Sequence, residues 1–167
     1  MNRRLTRSQL SLNCHQRVDD LLCHVQLPNP WSMNVFIDQL ETYRGREIDL
    51  CAFIWTPGSA TGGWQPYATH DVVAYAENTT VPHQDHTIFH EIGHMLAGHI
   101  PRCVLSITEA EHDAPHLCPA ALNHLLAAES HAIDEYEAEL IATILLCRVA
   151  KSHPHGPLQQ RVEAAFQ

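Results

Sequence analysis

The stretch His90-Glu91-Ile92-Gly93-His94 constrains this chain more than any other. It lies in a run whose apolar residues, Ile88, Phe89, Ile92, Met95 and Leu96, recur at helical spacing. A helix with that stripe has to be packed inside a domain. Residues four apart on a helix are separated by about 40° around its axis. His90 and His94 therefore project from one face, one turn apart. Two imidazoles so placed grip a single zinc ion. Glu91 sits about 100° round from His90, beside the metal without being its ligand. Activation of water by zinc needs such a base. Gly93 inside the motif costs about 1 kcal/mol of helix stability relative to alanine, but it lets another backbone approach closely. The chain holds 14 His, and this composition gives about 0.08 matches to the pattern by chance. The helical context, rather than the bare motif, carries the weight.

The length of 167 residues suits one domain with a real core. We expect a single domain over 1–167, with its core at about 15–152 and flexible ends. A net charge of −9 argues against direct nucleic-acid binding, which needs a basic footprint. No apolar run approaches the roughly 18 residues of a membrane span. The N-terminal arginines are not followed by an apolar stretch, so no secretory signal is read. The six cysteines, at 14, 23, 51, 103, 118 and 147, form no C-x-x-C pair. They read as reduced thiols in a cytoplasmic protein.

In chain order, residues 1–13 read as a frayed polar start. His15 to Val25 reads as a short amphipathic helix. Ser32 caps a second helix from Met33 to Tyr43, which Gly45 stops. Glu47 to Trp55 alternates as a strand. Trp64 to Thr69 and Asp71 to Glu77 are two further short strands, and Pro66 demotes the first of them to an edge. Thr79 or Thr80 opens the motif helix, with Pro82 in its first turn. Residues 101–118 contain Cys103, His112, His116 and Cys118 in no compact zinc spacing, and read as a surface loop with some helix. Pro119 to Ala128 is a short helix. Ala132 to Ala150 is a longer one, with Ile133, Tyr136, Leu140, Ile141, Ile144, Leu145 and Val149 as its stripe. The result is an α+β chain, mainly helical, with a small three-stranded antiparallel sheet on the motif helix.

A catalytic zinc takes three protein ligands and keeps one position open. His99 lies about 140° round from His94 on a continuous helix. It points away from the metal unless the helix breaks at Gly98, and reads better as a capping or core histidine. The last helix carries Asp134, Glu135, Glu137 and Glu139. Spacing alone does not choose a ligand among them.

The order of features resembles the ImmA/IrrE family of bacterial metallo-endopeptidases, especially its short stand-alone members. The residues that carry the resemblance are Arg44-Gly45-Arg46-Glu47-Ile48, Gly63-Trp64, Asp71-Val72-Val73-Ala74-Tyr75-Ala76-Glu77 and His83-Gln84-Asp85-His86. They continue with His90-Glu91-Ile92-Gly93-His94, His99 and Glu135-Tyr136-Glu137-Ala138-Glu139-Leu140-Ile141-Ala142. The resemblance implies a zincin-like fold with His90, His94 and Glu137 as zinc ligands. It implies Glu139 as the outer partner of a ligand histidine, although Glu stands where the family often has Asp or Asn. It further implies cleavage of a helix-turn-helix repressor. The reading is therefore a zinc-dependent endopeptidase with Glu91 as its base. The strand Asp71–Glu77 is a candidate edge for an extended substrate. The rival is a non-hydrolytic zinc-containing regulator that acts by binding such a repressor. A helical interaction module without metal is a third reading.

Overall fold

The computed structural model describes residues 6–58, 60–99 and 132–152. Helix α1 is Arg7–Leu22 and α2 is Met33–Arg44. Strands β1 (Glu47–Phe53), β2 (Gly62–Pro66) and β3 (His70–Ala76) follow. The motif helix α3 is Val81–Ala97, and α4 is Ala132–Ser152. The described residues are thus α+β, with four helices and one small sheet. The expected loop at 101–118 and the helix at Pro119–Ala128 lie outside them.

Local signals set most boundaries. Ser32 accepts the Val35 N–H at the start of α2, and Gly45 ends it in the left-handed conformation at φ 64°. Thr80 precedes α3 with Pro82 in its first turn, but its side chain makes no capping bond. The N-terminus departs from expectation. Helix α1 begins at Arg7, eight residues before the expected His15. Thr6 and Gln9 form a capping box there. Leu10 and Cys14 extend the buried face of Val18 and Leu21 toward the start of the chain.

The sheet order is β1-β3-β2. β2 pairs antiparallel with β3, but β1 pairs parallel with it, from Glu47↔His70 to Phe53↔Ala76. The expected all-antiparallel sheet is thereby corrected to a mixed one. The reason is topological. The chain reverses between β1 and β2 and again between β2 and β3, so β3 runs as β1 does. It enters between the other two. As Pro66 foretells, β2 is an edge strand among the described residues. The start of β3 is clamped by charge. Arg44 Nη1 lies 2.8 Å and Arg46 Nε 3.1 Å from the same oxygen of buried Asp71. Arg46 also donates to the carbonyls of Tyr67 and His70 at the β2–β3 turn.

Helix α3 packs on β2 and β3, α4 packs on α3, and α1 packs on both helices. Phe36 and Phe89 meet edge to face at 5.5 Å in the core, with Trp31 against both. On α4 the buried residues are Ala138, Ile141, Ala142, Ile144, Leu145 and Val149. Ile133 and Tyr136, expected in the stripe, are exposed at 54% and 45%. The small residues Ala138 and Ala142 take the buried face instead, because α4 lies very close to α3. Cys14, Cys23 and Cys147 are free thiols, but Cys51 is disulfide-bonded and its partner lies outside the described residues. The expectation of six reduced thiols fails at Cys51. Scattered sequence positions do not report which sulfurs meet in space.

A Cβ built on Gly93 would lie 2.7 Å from the Ala138 carbonyl oxygen and 2.9 Å from its Cα. Both are backbone atoms, so neither can rotate away. Gly93→Ala gains about 1 kcal/mol of helix propensity but overpacks a rigid contact, which costs about 1–3 kcal/mol. We expect a net loss of stability in chemical denaturation.

Asp85 is buried, and one of its oxygens accepts from the Trp31 indole N–H at 3.2 Å. Burial raises its pKa above the ordinary 3.8, against the lowering effect of the Trp31 hydrogen bond. A raised folded-state value for an acid means that stability falls as pH climbs from 3.8 through that value. Asp85→Asn keeps an acceptor for Trp31 and removes the charge. The variant should be more stable than the parent at neutral pH, with the gap closing below pH 3.8. Denaturation midpoints of the two proteins across pH provide the check.

Candidate metal centre

The site forms where α3 and α4 cross. Gly93 brings the two backbones together, and each helix then contributes side chains four residues apart. His90 and His94 come from α3, and Glu135 and Glu139 from α4. Such pairs lie on one face of each helix. The Nε2 atoms of His90 and His94 are 3.2 Å apart. A Glu135 oxygen is 3.1 Å from the first, and its other oxygen is 3.3 Å from the second. Among the described residues these three form the group able to hold a metal ion. Ligand atoms about 2.0–2.1 Å from a tetrahedral zinc lie roughly 3.3 Å from one another. The His90–His94 spacing fits that figure, and one oxygen of Glu135 lies within 4.8 Å of both nitrogens, so the group can hold a metal ion.

The outer nitrogens are also held. His90 Nδ1 is 3.3 Å from Glu139, whose other oxygen is 3.0 Å from His86 Nε2. His94 Nδ1 is 2.9 Å from His99 Nδ1. Both imidazoles are thereby turned so that Nε2 faces inward. Glu139 stands where an outer partner of a ligand histidine is expected.

Glu137 does not join the group. Its carboxylate meets His99 Nε2 at 3.4 Å and Arg17 Nε at 3.6 Å. The structure puts Glu135 beside the two histidines in place of the expected Glu137. The cause is helical register. Two residues turn a side chain about 200°, so a helix that offers Glu135 and Glu139 to α3 turns Glu137 elsewhere. The signal was available: Glu135 and Glu139 are spaced by four, and Glu137 and Glu139 by two. His99 is not in the ligand group either. The helix does break at Gly98, at φ 72°, and the chain beyond it folds back so that His99 flanks His94.

Glu91 is buried beside the two histidines. Loss of water pushes its pKa up to about 7, against the pull of His90 and His94. Glu135 adds a small push upward, and a hydrogen bond from the Trp64 backbone N–H a small pull downward. For His90, burial lowers the pKa, but the hydrogen bond and charge of Glu135, with Glu91 and Glu139, outweigh it and raise the value. The Gly62 position lies 3.4 Å from a Glu91 oxygen, measured from where a Cβ would stand. Strand β2 therefore runs directly past Glu91. β3, the expected substrate edge, is paired on both sides and has no edge to offer.

No family model, curated protein or solved structure matches the chain. Among the described residues no helix is long and apolar enough to cross a membrane.

Glu135→Ala should lose most of the metal affinity of the purified chain, and Glu137→Ala should retain a site. Equilibrium competition against a chromophoric chelator ranks the two. The reverse order would restore Glu137 as the ligand.

Proposed function

We propose that this chain is a zinc-dependent endopeptidase. The observation that carries the proposal is the convergence of His90 Nε2, His94 Nε2 and the Glu135 carboxylate, with Glu91 buried alongside and outside the ligand set. A purely structural zinc site has no use for such a carboxylate. Zinc held by these three residues would supply Lewis acidity. Glu91, buried beside them, would accept a proton from water and pass it to the leaving amine. Burial keeps its carboxylate basic enough to accept.

β2 supports a peptide substrate. Its hydrogen-bonded positions include Thr61 and Tyr67, which pair with Ala76 and His70. By alternation Gly62, Trp64 and Pro66 face outward. Trp64 has committed its N–H to Glu91 and Pro66 has none, so this edge is rich in carbonyls. An extended substrate laid along it donates its own N–H groups. The zincin-like architecture and the cytoplasmic helix-turn-helix repressor as target rest on the family resemblance. A negative charge of −9 favours approach to a basic DNA-binding protein.

Glu91→Gln should keep its metal and lose cleavage of the repressor encoded nearest the gene. Zinc-loaded parent should make a single cut that a chelator abolishes. Intact repressor alongside broad digestion of unfolded proteins would instead mark a general peptidase. Loss of metal in the Glu91→Gln variant would place Glu91 among the ligands.

A further inference from the structure

The two ligand histidines are held from behind by different chemistry. His90 Nδ1 meets a carboxylate, Glu139. His94 Nδ1 meets another imidazole, His99, at the shorter distance of 2.9 Å. If Nε2 of His94 faces a metal, its Nδ1 carries the proton and must donate it. His99 Nδ1 is then the acceptor, which places the His99 proton on Nε2. That nitrogen points at Glu137, 3.4 Å away, and Glu137 in turn faces Arg17 at 3.6 Å. Asp134 is farther from His99, at 3.8 Å. The direction of every proton in the chain follows from one end.

The members are also fixed in place. The side chains of His94, His99 and Glu137 are only 14%, 10% and 13% exposed. A polar chain this buried is costly unless each member is satisfied. Arg17 anchors the far end by donating to the Leu96 carbonyl at 2.8 Å, in the last turn of α3. Gly98 supplies the turn that brings His99 back under His94, and the His99 N–H closes it on the His94 carbonyl at 3.0 Å.

We propose that His99 is a positioning residue for the metal ligand His94, with Glu137 and Arg17 completing a relay from α3 through α4 to α1. The inference rests on His94 being a ligand, as in the proposed function. It gives Glu137 a task that needs no contact with the metal. It also makes the two histidines unequal: a carboxylate draws on the His90 proton more strongly than a neutral imidazole draws on that of His94, so His90 is the stronger donor to the metal.

The test uses the full chain and reads metal binding, not cleavage. Zinc affinity is measured by chelator competition for the parent, His94→Ala, His99→Phe, His99→Gln and Glu137→Leu. Cobalt-loaded samples are followed by proton NMR, in which each ligand imidazole N–H gives its own shifted exchangeable resonance. His94→Ala should lose the site. His99→Phe should bind zinc about 10- to 100-fold more weakly, and the His94 resonance should vanish into solvent exchange while that of His90 remains. His99→Gln, which keeps an acceptor, should recover part of both losses, and it serves in place of His99→Phe should that variant misfold. Parent-like affinity with both resonances intact in His99→Phe and His99→Gln overturns the relay while leaving the metal site standing. Loss of the whole site in Glu137→Leu also overturns it, since Glu137 would then be a ligand. Unchanged zinc binding in His94→Ala defeats the site and the relay together.

Discussion

The approach of α3 to α4 at Gly93 and Ala138 is the constraint on which the rest depends. Ordinary helix pairs lie about 8–10 Å apart, at a distance set by the side chains between them. Here one helix gives up its side chain and the other offers only a methyl group. Short reach then suffices. Glutamates on α4 can touch the imidazoles of α3, and the histidines are gripped on both ring nitrogens. The glycine looks like a defect by helix propensity alone. In the packed molecule it is what lets two helices share one polar face.

A second constraint holds the sheet in place. Asp71 is almost fully buried, and a lone carboxylate there would be costly. Two guanidiniums from the α2–β1 corner answer it. Because Arg46 also reaches the carbonyls of the β2–β3 turn, one cluster sets the mixed order of the strands. It fixes where β2 passes α3, and hence where the Trp64 N–H meets Glu91.

Much of this was legible in the residues. The α3 stripe, the α2 caps at Ser32 and Gly45, the edge character of β2 and the room at Gly93 all follow from local rules that act within a few positions. The misses are of another kind. The parallel pairing of β1 with β3 depends on which strand enters the middle, and no single strand records that. The choice between Glu135 and Glu137 depends on the rotational setting of α4, and that setting is marked by Ala138 meeting Gly93 of α3. A stripe drawn through the large apolar residues put Ile133 and Tyr136 inside, and so turned the helix too far. The start of α1 was missed because polar residues outnumber the few buried ones there, although Thr6 and Gln9 carried the capping signal.

The bond from the Trp64 N–H to Glu91 has a consequence beyond chemistry. An open edge strand is a template on which other copies of a protein can pair and aggregate. β2 has lost one outward donor to the ring of Pro66 and a second to the carboxylate of Glu91. Two molecules meeting along this edge would bring carbonyl against carbonyl, with too few N–H groups to bridge them. The Glu91 carboxylate thus also guards the molecule against its own kind, and a chain that lost it would be more prone to stick.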